Sequence, residues 1–293
     1  MWKLQLISLY CAVCDNYSVI EETTQRQSNN FRPEFTDEEC ITVYIWGTKR
    51  KLSDQKAIYN YTKEHLSDWF PKLPSYQAFN RRLTRLAPAL QALAGVWMEE
   101  VAVNAGTEES YVTDSLPVAL AKRTRSRYAK VAREMCDIGY NSTKKEYYYG
   151  VKLHVFATRH TKTLPAACSM MISPASQHDL PVAKQTMTDF HPIHGGTLYA
   201  DKAYIDEDWE ITLRDEHHVH ILTPLKKRKT DFKGGNAFST FVSSLRQQIE
   251  CFFAWLQNNT GIQVASKVRS SAGLLVHIFG KIASSIYFRY FNS

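Results

Sequence analysis

The sequence lacks a long apolar run, an internal repeat and a low-complexity segment. No stretch reaches the roughly 18 consecutive apolar residues of a membrane-spanning helix, so we expect no membrane partner. The N-terminal segment MWKLQLISLYCAVC is interrupted by polar residues, and no small-residue cleavage site follows it, which argues against a signal peptide. These absences favour a globular cytoplasmic protein.

Cysteine is also sparse. Six residues are scattered along the chain, and only Cys11 and Cys14 lie close together. A structural zinc site needs a second closely spaced pair of Cys or His, and none is evident. We therefore expect reduced thiols and no zinc.

Acidic residues are fewer than basic ones, 29 against 36, which gives a net charge of +7 and a sequence pI near 9.0. This balance favours an anionic partner, either nucleic acid or an anionic membrane surface, and charge alone does not choose between them. The length of 293 residues is enough for two domains, and 44% hydrophobic residues are enough for a substantial core.

The first 100 residues carry helical patterns. TDEE at residues 36–39 has the spacing of a capping box, and Ser53 and Ser75 are further N-cap candidates. A last helix is predicted across AFNRRLTRLAPALQALA, where apolar residues recur at helical spacing. Its polar side carries three arginines that could contact DNA or form a solvated basic face: Arg81, Arg82 and Arg85. We predict an all-α N-terminal DNA-binding region over residues 1–105.

From residue 106 the pattern changes to short β-rich runs with intervening helices. Strands are predicted for YVTDSLPV, YYYGVKLHVFAT, LPAACSMMI, GTLYA and HVHILTP, and helices for DLPVAKQTMTDF, residues 206–216 and residues 239–258. The order is three strands, then helix, strand, helix, strand and helix. Because this is the order of the ribonuclease-H-like fold, residues 106–293 are predicted to form an α/β domain with a mixed five-stranded sheet and flanking helices.

Three acidic residues are prominent in this domain. Asp114 lies inside the first strand, where Asp is disfavoured, Asp201 ends the fourth strand, and Glu250 flanks the apolar stripe of the last helix. In a ribonuclease-H-like sheet the first and fourth strands are neighbours, so the three acids could converge. Alternatively each acid is satisfied locally, with Asp114 capping a turn, Asp201 beside Lys202 and Glu250 bonded to Arg246.

Converging carboxylates repel one another, and two magnesium ions about 4 Å apart relieve that repulsion. Hard oxygen ligands suit Mg²⁺, with Mn²⁺ as a substitute. Two such ions activate a water or a 3′ hydroxyl for in-line attack on a phosphodiester and stabilise the leaving oxygen. The three acids therefore predict metal-dependent phosphodiester chemistry.

Five segments in order carry a family resemblance: VTDSLPV, KKEYYYGVKLHVF, SPASQHDLPV, YADKAY and LRQQIECFFAWL. They resemble the bacterial insertion-sequence transposases that use an Asp-Asp-Glu (DDE) triad, and FTDEECITVYIW and SYQAFNRRLTRL resemble the N-terminal region of one branch of that group. The resemblance implies Asp114, Asp201 and Glu250 as catalytic metal ligands for transesterification at the ends of a mobile element. It also implies double-stranded DNA as partner (terminal inverted repeats and target DNA), a homodimer in the DNA complex and association with the bacterial nucleoid.

The family pattern is incomplete here. Some relatives carry Tyr seven residues before the Glu and Lys seven residues after it, where this chain has Ser243 and Gln257. The Arg246-x-x-x-Glu250 part is retained, so we expect Arg246 to orient Glu250 or to hold a phosphate. Two other acids are the next candidates for the third ligand: Glu216 and Asp179.

Two basic clusters supply candidate DNA contacts, although each could be a solvated surface. KRTRSRYAKVAR has six basic residues and no acid, and KKRK adds a second cluster. Phosphate binding would make affinity fall steeply with salt. Lys152 and His154 alternate onto one strand face and are further candidates. The predicted contacts in the two clusters are Lys122, Arg123, Arg125, Arg127, Lys130, Lys226, Lys227, Arg228 and Lys229.

Two rival functions remain open on the sequence alone. A domesticated DNA-binding regulator would use the catalytic fold as a scaffold, and it would have no use for three clustered acids. A ribonuclease-H-like nuclease without strand transfer would lack recognition of element ends, and the N-terminal helices argue weakly against it. Inverted repeats in the DNA flanking the gene would decide for a transposase.

Overall fold

The computed structural model describes residues 2–21, 33–104, 109–225 and 236–291. The chain forms two compact units. Unit 1 comprises Met1–Trp97, Lys130–Glu134 and Leu256–Ser293, and unit 2 comprises Met98–Ala129 and Met135–Trp255. Residues 256–293, which the sequence pattern assigns to the second domain, therefore lie with the N-terminal helices in unit 1.

Unit 1 is built from helices in its described part. They are α1 (Trp2–Glu21), α2 (Asp37–Lys49), α3 (Gln55–His65), α4 (Tyr76–Arg85), the first part of α5 (Ala87–Asn104), the end of α8 (Ala237–Thr260) and α9 (Ser271–Ile286). Most residues of α2 and α9 are buried, and helices buried on all sides form the interior of a domain. The Ser284 hydroxyl of α9 donates a hydrogen bond to the Ile45 carbonyl of α2 at 3.1 Å. These two helices are therefore the centre of unit 1.

Two glycines allow close approach in this core. A Cβ at Gly47 of α2 would lie 2.6 Å from side-chain carbons of Ile58 in α3, and a Cβ at Gly280 of α9 would lie 2.3 Å from the ring of Tyr44. Close-packed interiors have no room for such overlaps. A larger residue at either position would push neighbouring helices apart.

Two of the three predicted helix caps in unit 1 are present. Thr36 forms the predicted capping box at the start of α2, and Ser75 caps α4. The third candidate, Ser53, is not the cap, because the neighbouring Asp54 accepts hydrogen bonds from two backbone amides of α3. A carboxylate is a strong acceptor at a helix N-terminus and also interacts favourably with the helix dipole.

The single helix predicted across residues 78–94 is in fact two helices. α4 ends at Arg85 and α5 begins at Ala87. Pro88 cannot continue the hydrogen-bond ladder of α4, because it has no N–H and its ring would clash with the carbonyl of Thr84. The proline therefore accounts for the break.

α9 is a helix that the sequence patterns above do not predict. Together with the following turn it forms the segment Ser271–Phe291, which is long and apolar enough to span a membrane by length and composition alone. Of the apolar window, 72% is buried inside the protein. Burial to this extent is typical of the core helix of a globular unit.

Unit 2 contains a mixed sheet of six described strands, namely β1 (Ser110–Lys122), β2 (Asp137–Asn141), β3 (Glu146–Thr158), β4 (Ala166–Pro174), β5 (Thr197–Tyr199) and β6 (His220–Leu222). β1 is antiparallel to β3 on one side and parallel to β5 on the other, and β6 pairs in parallel with β5. β2 and β4 pair with successive parts of β3. The predicted count of five is corrected to six, because β2 is short and contains Gly139, which weakens the strand pattern.

Three helices accompany this sheet. α6 (Asp179–Phe190) coincides with the predicted segment DLPVAKQTMTDF, α7 (Glu207–His217) starts at the Asp206 cap, and α8 begins at Ala237. α6 and α7 pack with β3 and β5 around a core in which each large apolar side chain contributes about 1.5–3 kcal/mol by burial. This core includes Phe156, Met187, Leu198, Trp209 and Leu213.

Candidate active site

Asp114 lies inside the central strand β1. Its Oδ1 accepts a hydrogen bond from the Ser115 amide at 2.8 Å, and its Oδ2 accepts one from Nη1 of Arg246, also at 2.8 Å. The Asp114 side chain is 22% exposed. Strands disfavour aspartate, so these two donors compensate for its position.

Asp201 lies level with Asp114. The parallel pairing of β1 with β5 places Val112 opposite Tyr199, and each acid lies two residues beyond that pair. The two carboxylates therefore follow the same end of the β1–β5 pairing. The sequence prediction that the strand of Asp114 and the strand before Asp201 are neighbours is confirmed.

Arg246 of α8 joins Glu250 to Asp114. Its Nη2 donates to Oε1 of Glu250 at 2.5 Å, one helical turn further along, while Nη1 donates to Asp114. The Arg246 side chain is 17% exposed and that of Glu250 is 52% exposed. The local Arg246–Glu250 pair that the sequence offered as an alternative is thus present, and the same guanidinium also reaches the first acid.

Burial raises the pKa of Asp114 to about 6. The Ser115 amide and the positive charge of Arg246 oppose this shift, while the negative charges of Asp179 and Asp201 add to it. Arg246 therefore only partly offsets the cost of ionising Asp114 in this acidic neighbourhood. An additional cation would favour the carboxylate form.

Asp179, the first residue of α6, is held by a polar network. It accepts a hydrogen bond from Nζ of Lys152 at 2.9 Å, and Nδ1 of His154 lies 3.9 Å from the same carboxylate oxygen. Nε2 of His154 shares a hydrogen bond of 2.8 Å with the Ser173 hydroxyl. The sequence offered Asp179 only as an alternative third acid, although its place shortly after β4 and at the start of α6 is a signal for a residue at the edge of a sheet.

Lys152 and His154 lie on the sheet face opposite to Asp114. The β1–β3 register places Asp114 opposite Val155 and Ser115 opposite His154, and side chains alternate between the two faces. Burial lowers the pKa of His154 to about 4, so its ring is neutral at pH 7. The two side chains are engaged with Asp179 and Ser173 in this structure, and their contact with DNA stays a prediction.

The donor chemistry of the three acids fits a divalent cation. Carboxylate oxygens of Asp114, Asp201 and Glu250 are the hard ligands that Mg²⁺ and Mn²⁺ prefer. Within the described residues, no group of three or more His, Cys, Asp or Glu side chains is arranged to hold a metal ion. The cation that joins Asp114 to Glu250 here is the guanidinium of Arg246. An ion bound to Oδ2 of Asp114 and Oε1 of Glu250 would compete with Arg246 for these two oxygens.

The first basic cluster is exposed, and Glu146 pairs with part of it. Carboxylate oxygens of Glu146 lie 3.6 Å from Nζ of Lys122 and 3.3 Å from Nε of Arg123. Glu146 is only 15% exposed, but both cations are exposed, so solvent screens the two pairs and both cations remain able to contact a phosphate. The exposed members of this cluster are Lys122, Arg123, Arg125, Arg127 and Lys130. The second cluster, residues 226–229, lies outside the described residues.

The three arginines of α4 differ in their surroundings. Nη1 of Arg82 donates to the Phe35 carbonyl, and its Nε lies 3.6 Å from the Asp37 carboxylate. Arg82 thus ties α4 to the start of α2 within unit 1. Arg81 and Arg85 are exposed. The solvent-facing basic side of α4 is formed by these two residues.

Asp114 of β1 and Asp201 beyond β5 thus follow the same end of the β1–β5 pairing in a mixed α/β sheet, and Glu250 lies on the later helix α8. The family model for the transposase DDE domain matches residues 111–286, a range that includes all three acids. The chain therefore belongs to the DDE transposase family, as the resemblance implied. Membership indicates a transposition-related nuclease, and the family generally uses divalent metal ions. No curated protein and no solved structure matches the chain.

Proposed function

We propose that this chain is a DNA transposase that binds the ends of its insertion sequence and catalyses cleavage and strand transfer. One observation carries the proposal: Asp114 and Asp201 each lie two residues beyond the last pair of the parallel β1–β5 pairing, and Glu250 is joined to Asp114 through Arg246. A strand order with β1 between antiparallel β3 and parallel β5 supports a ribonuclease-H-like catalytic domain. The described helices of residues 2–104 support an all-α N-terminal region.

Asp114, Asp201 and Glu250 would hold the divalent ions, Mg²⁺ with Mn²⁺ as a substitute. When bound, two such ions activate the attacking oxygen and stabilise the leaving oxygen of a phosphodiester. Asp114 lies in the sheet and Asp201 directly beyond β5, whereas Glu250 is carried by α8. Once Arg246 leaves Asp114, its guanidinium is free to hold a DNA phosphate or to orient Glu250.

DNA binding is assigned to the basic residues. The exposed cluster of residues 122–130, the exposed pair Arg81 and Arg85, and residues 226–229 would contact backbone phosphates, with a steep dependence of affinity on salt. Terminal inverted repeats and target DNA are the proposed partners. Joining two element ends in one complex calls for a homodimer, and the proposed location is the cytoplasm at the nucleoid.

The test is nicking of a plasmid that carries the gene with its native flanking DNA. Asp114→Asn, Asp201→Asn and Glu250→Gln should each lower nicking at least roughly 100-fold, since loss of a metal ligand should cost at least as much as loss of an outer-sphere partner. Binding to an end fragment in gel shift should remain, because the basic surface is intact. Asp208→Asn, an exposed acid of α7, is the matched control and should nick like the parent.

The nicking results distinguish a transposase from a nuclease and from a DNA-binding regulator. Full cleavage by Asp114→Asn or Asp201→Asn would contradict the assignment. If Glu250→Gln alone retained cleavage, the third acid would be another residue, with Asp179 the first to test. Cleavage by the parent without joined products would indicate a nuclease, and binding without cleavage would indicate a regulator.

A further inference from the structure

Unit 1 contains a cavity of about 350 Å³, whose lining residues all belong to that unit. Its walls come from α2, α3, α4, residues 264–270 and α9. The volume lies in the range of small-molecule sites. Tyr44 and Ile58, the side chains that pack against Gly280 and Gly47, form part of the wall. The cavity is thus bounded by helices that approach closely at Gly47 and Gly280.

Lys281 of α9 lines this cavity with a buried ammonium group. The residue is 3% exposed, and Nζ donates to the Gly261 carbonyl at 3.4 Å, which is longer than a usual N–H···O bond. In the part of the chain that the structure describes, no carboxylate forms an ion pair with it. Burial lowers the pKa of Lys281 to about 8, and the charge of Asp54 opposes this shift only in part. A buried cation in this state gains from a bound anion.

Three further residues of the lining are basic. Lys56, Lys267 and Arg269 are exposed residues of the lining, and the 16-residue helix α9 begins there at its Ser270 cap. Asp54 lies in the lining as well, but its Oδ1 caps α3 by accepting from two backbone amides at 3.0 Å. Basic side chains and a helix N-terminus together favour an anionic ligand.

We propose that this cavity binds a phosphate monoester, with Lys281 contacting the phosphoryl group and the exposed basic residues forming the entrance. A phosphate monoester carries a charge of about −1.5 to −2 at pH 7 and offers three acceptor oxygens to the ammonium group. This binding site is additional to the DNA cleavage site proposed for unit 2.

Two sources could supply the phosphate monoester: a free nucleotide or the 5′-phosphorylated end of a DNA strand. A phosphodiester within a duplex could contact exposed Lys267 and Arg269 from outside. It would not reach Lys281, because this residue is only 3% exposed and a phosphoryl group must enter the cavity to contact it. The two sources share one chemistry and are distinguished by the ligands used in the test.

The experiment is calorimetric titration of the full chain with deoxyadenosine 5′-monophosphate and with a short single strand bearing a 5′-phosphate. Deoxyadenosine and the same strand with a 5′-hydroxyl are the reference ligands. Lys281→Met should weaken binding of the phosphorylated ligand at least about tenfold, as expected for loss of a charged hydrogen bond. Lys63→Met, an exposed lysine of α3 outside the lining, is the matched control and should bind as the parent does.

Binding of the mononucleotide that depends on Lys281 would identify a free nucleotide as the ligand. Binding of only the phosphorylated strand that depends on Lys281 would identify a DNA end as the ligand. Equal affinity for phosphorylated and unphosphorylated ligands, or for the parent and Lys281→Met, would overturn the proposal. If Lys281→Met does not fold, exposed Lys267→Ala serves instead, and parental affinity in that variant would count against the site. Asp114→Asn should bind as the parent does, so this result is independent of DNA cleavage.

Discussion

His277 should make unit 1 sensitive to acid. It lies one turn before Lys281 in α9, is 8% exposed, and shares a hydrogen bond of 2.9 Å between its Nε2 and the Ile262 carbonyl. Burial is the main cause that lowers the pKa of His277 to about 3, and the nearby charge of Lys281 lowers it further. Folded unit 1 therefore holds this ring in its neutral form.

The sign of the effect follows from the two states of the chain. In the unfolded chain His277 has its ordinary pKa of 6.5, so between pH 6.5 and pH 3 the unfolded state binds more protons than the folded state. The contribution of neutral His277 to the free energy of unfolding is complete above pH 6.5 and is lost as the pH falls towards 3. At 1.36 kcal/mol for each pH unit, the loss reaches about 2 kcal/mol at pH 5.

His277→Gln removes the titration while its amide can still donate to the Ile262 carbonyl. We expect urea unfolding at pH 7 and pH 5 to show that the variant loses about 2 kcal/mol less stability on acidification than the parent. His65→Gln, at an exposed position of α3, controls for the substitution itself and should follow the parent. An identical loss in the parent and His277→Gln would refute the reasoning, because it would mean that the buried ring contributes nothing to the acid response.

Two further predictions concern packing and the candidate active site. Gly280→Ala places a Cβ against Tyr44 and should destabilise unit 1 by about 1–3 kcal/mol. Gly95→Ala in α5 is the control and should not destabilise the unit, because the added Cβ meets nothing within 4 Å. Urea unfolding measures both variants, and equal effects would contradict the packing argument. Arg246→Ala should keep Mn²⁺ binding in calorimetry and lower plasmid nicking only partly, whereas Glu250→Gln should weaken both. Parental Mn²⁺ binding by Glu250→Gln would contradict its role as a ligand.

Local patterns predicted those elements whose signals are local. β1 and β3 carry long β-rich runs, and α6 has a helical period bounded by turns, so their positions followed from the sequence. The contact of Arg246 with Asp114 could not be predicted in this way, because it joins residues far apart in the chain and depends on where α8 lies beside β1. Only the i, i+4 part of that arrangement, Arg246 with Glu250, is visible in helical spacing.

Three features could not be predicted from the sequence, each for a different physical reason: strand β2, helix α9 and the charge environment of Asp114. β2 is a five-residue strand whose pairing with β3 is a tertiary event, so its pattern is weak. α9 belongs to the core of unit 1 although it follows the segments of the candidate active site in the chain. Sequence order alone does not indicate that the chain returns to unit 1. The charge environment of Asp114 likewise depends on Asp179, which reaches it through the fold rather than through spacing.

The assembly of unit 1 from distant parts of the chain has a consequence for biosynthesis. α2 ends at Lys49, but its core partner α9 begins only at Ser271. At a translation rate of about 5–20 residues per second, residues 50–270 take roughly 10–45 s to be made. During that interval the apolar surface of α2 has no α9 to cover it, so the nascent chain depends on chaperones or on its own collapse. A product truncated before α9 would expose this surface permanently and would be a target for proteolysis.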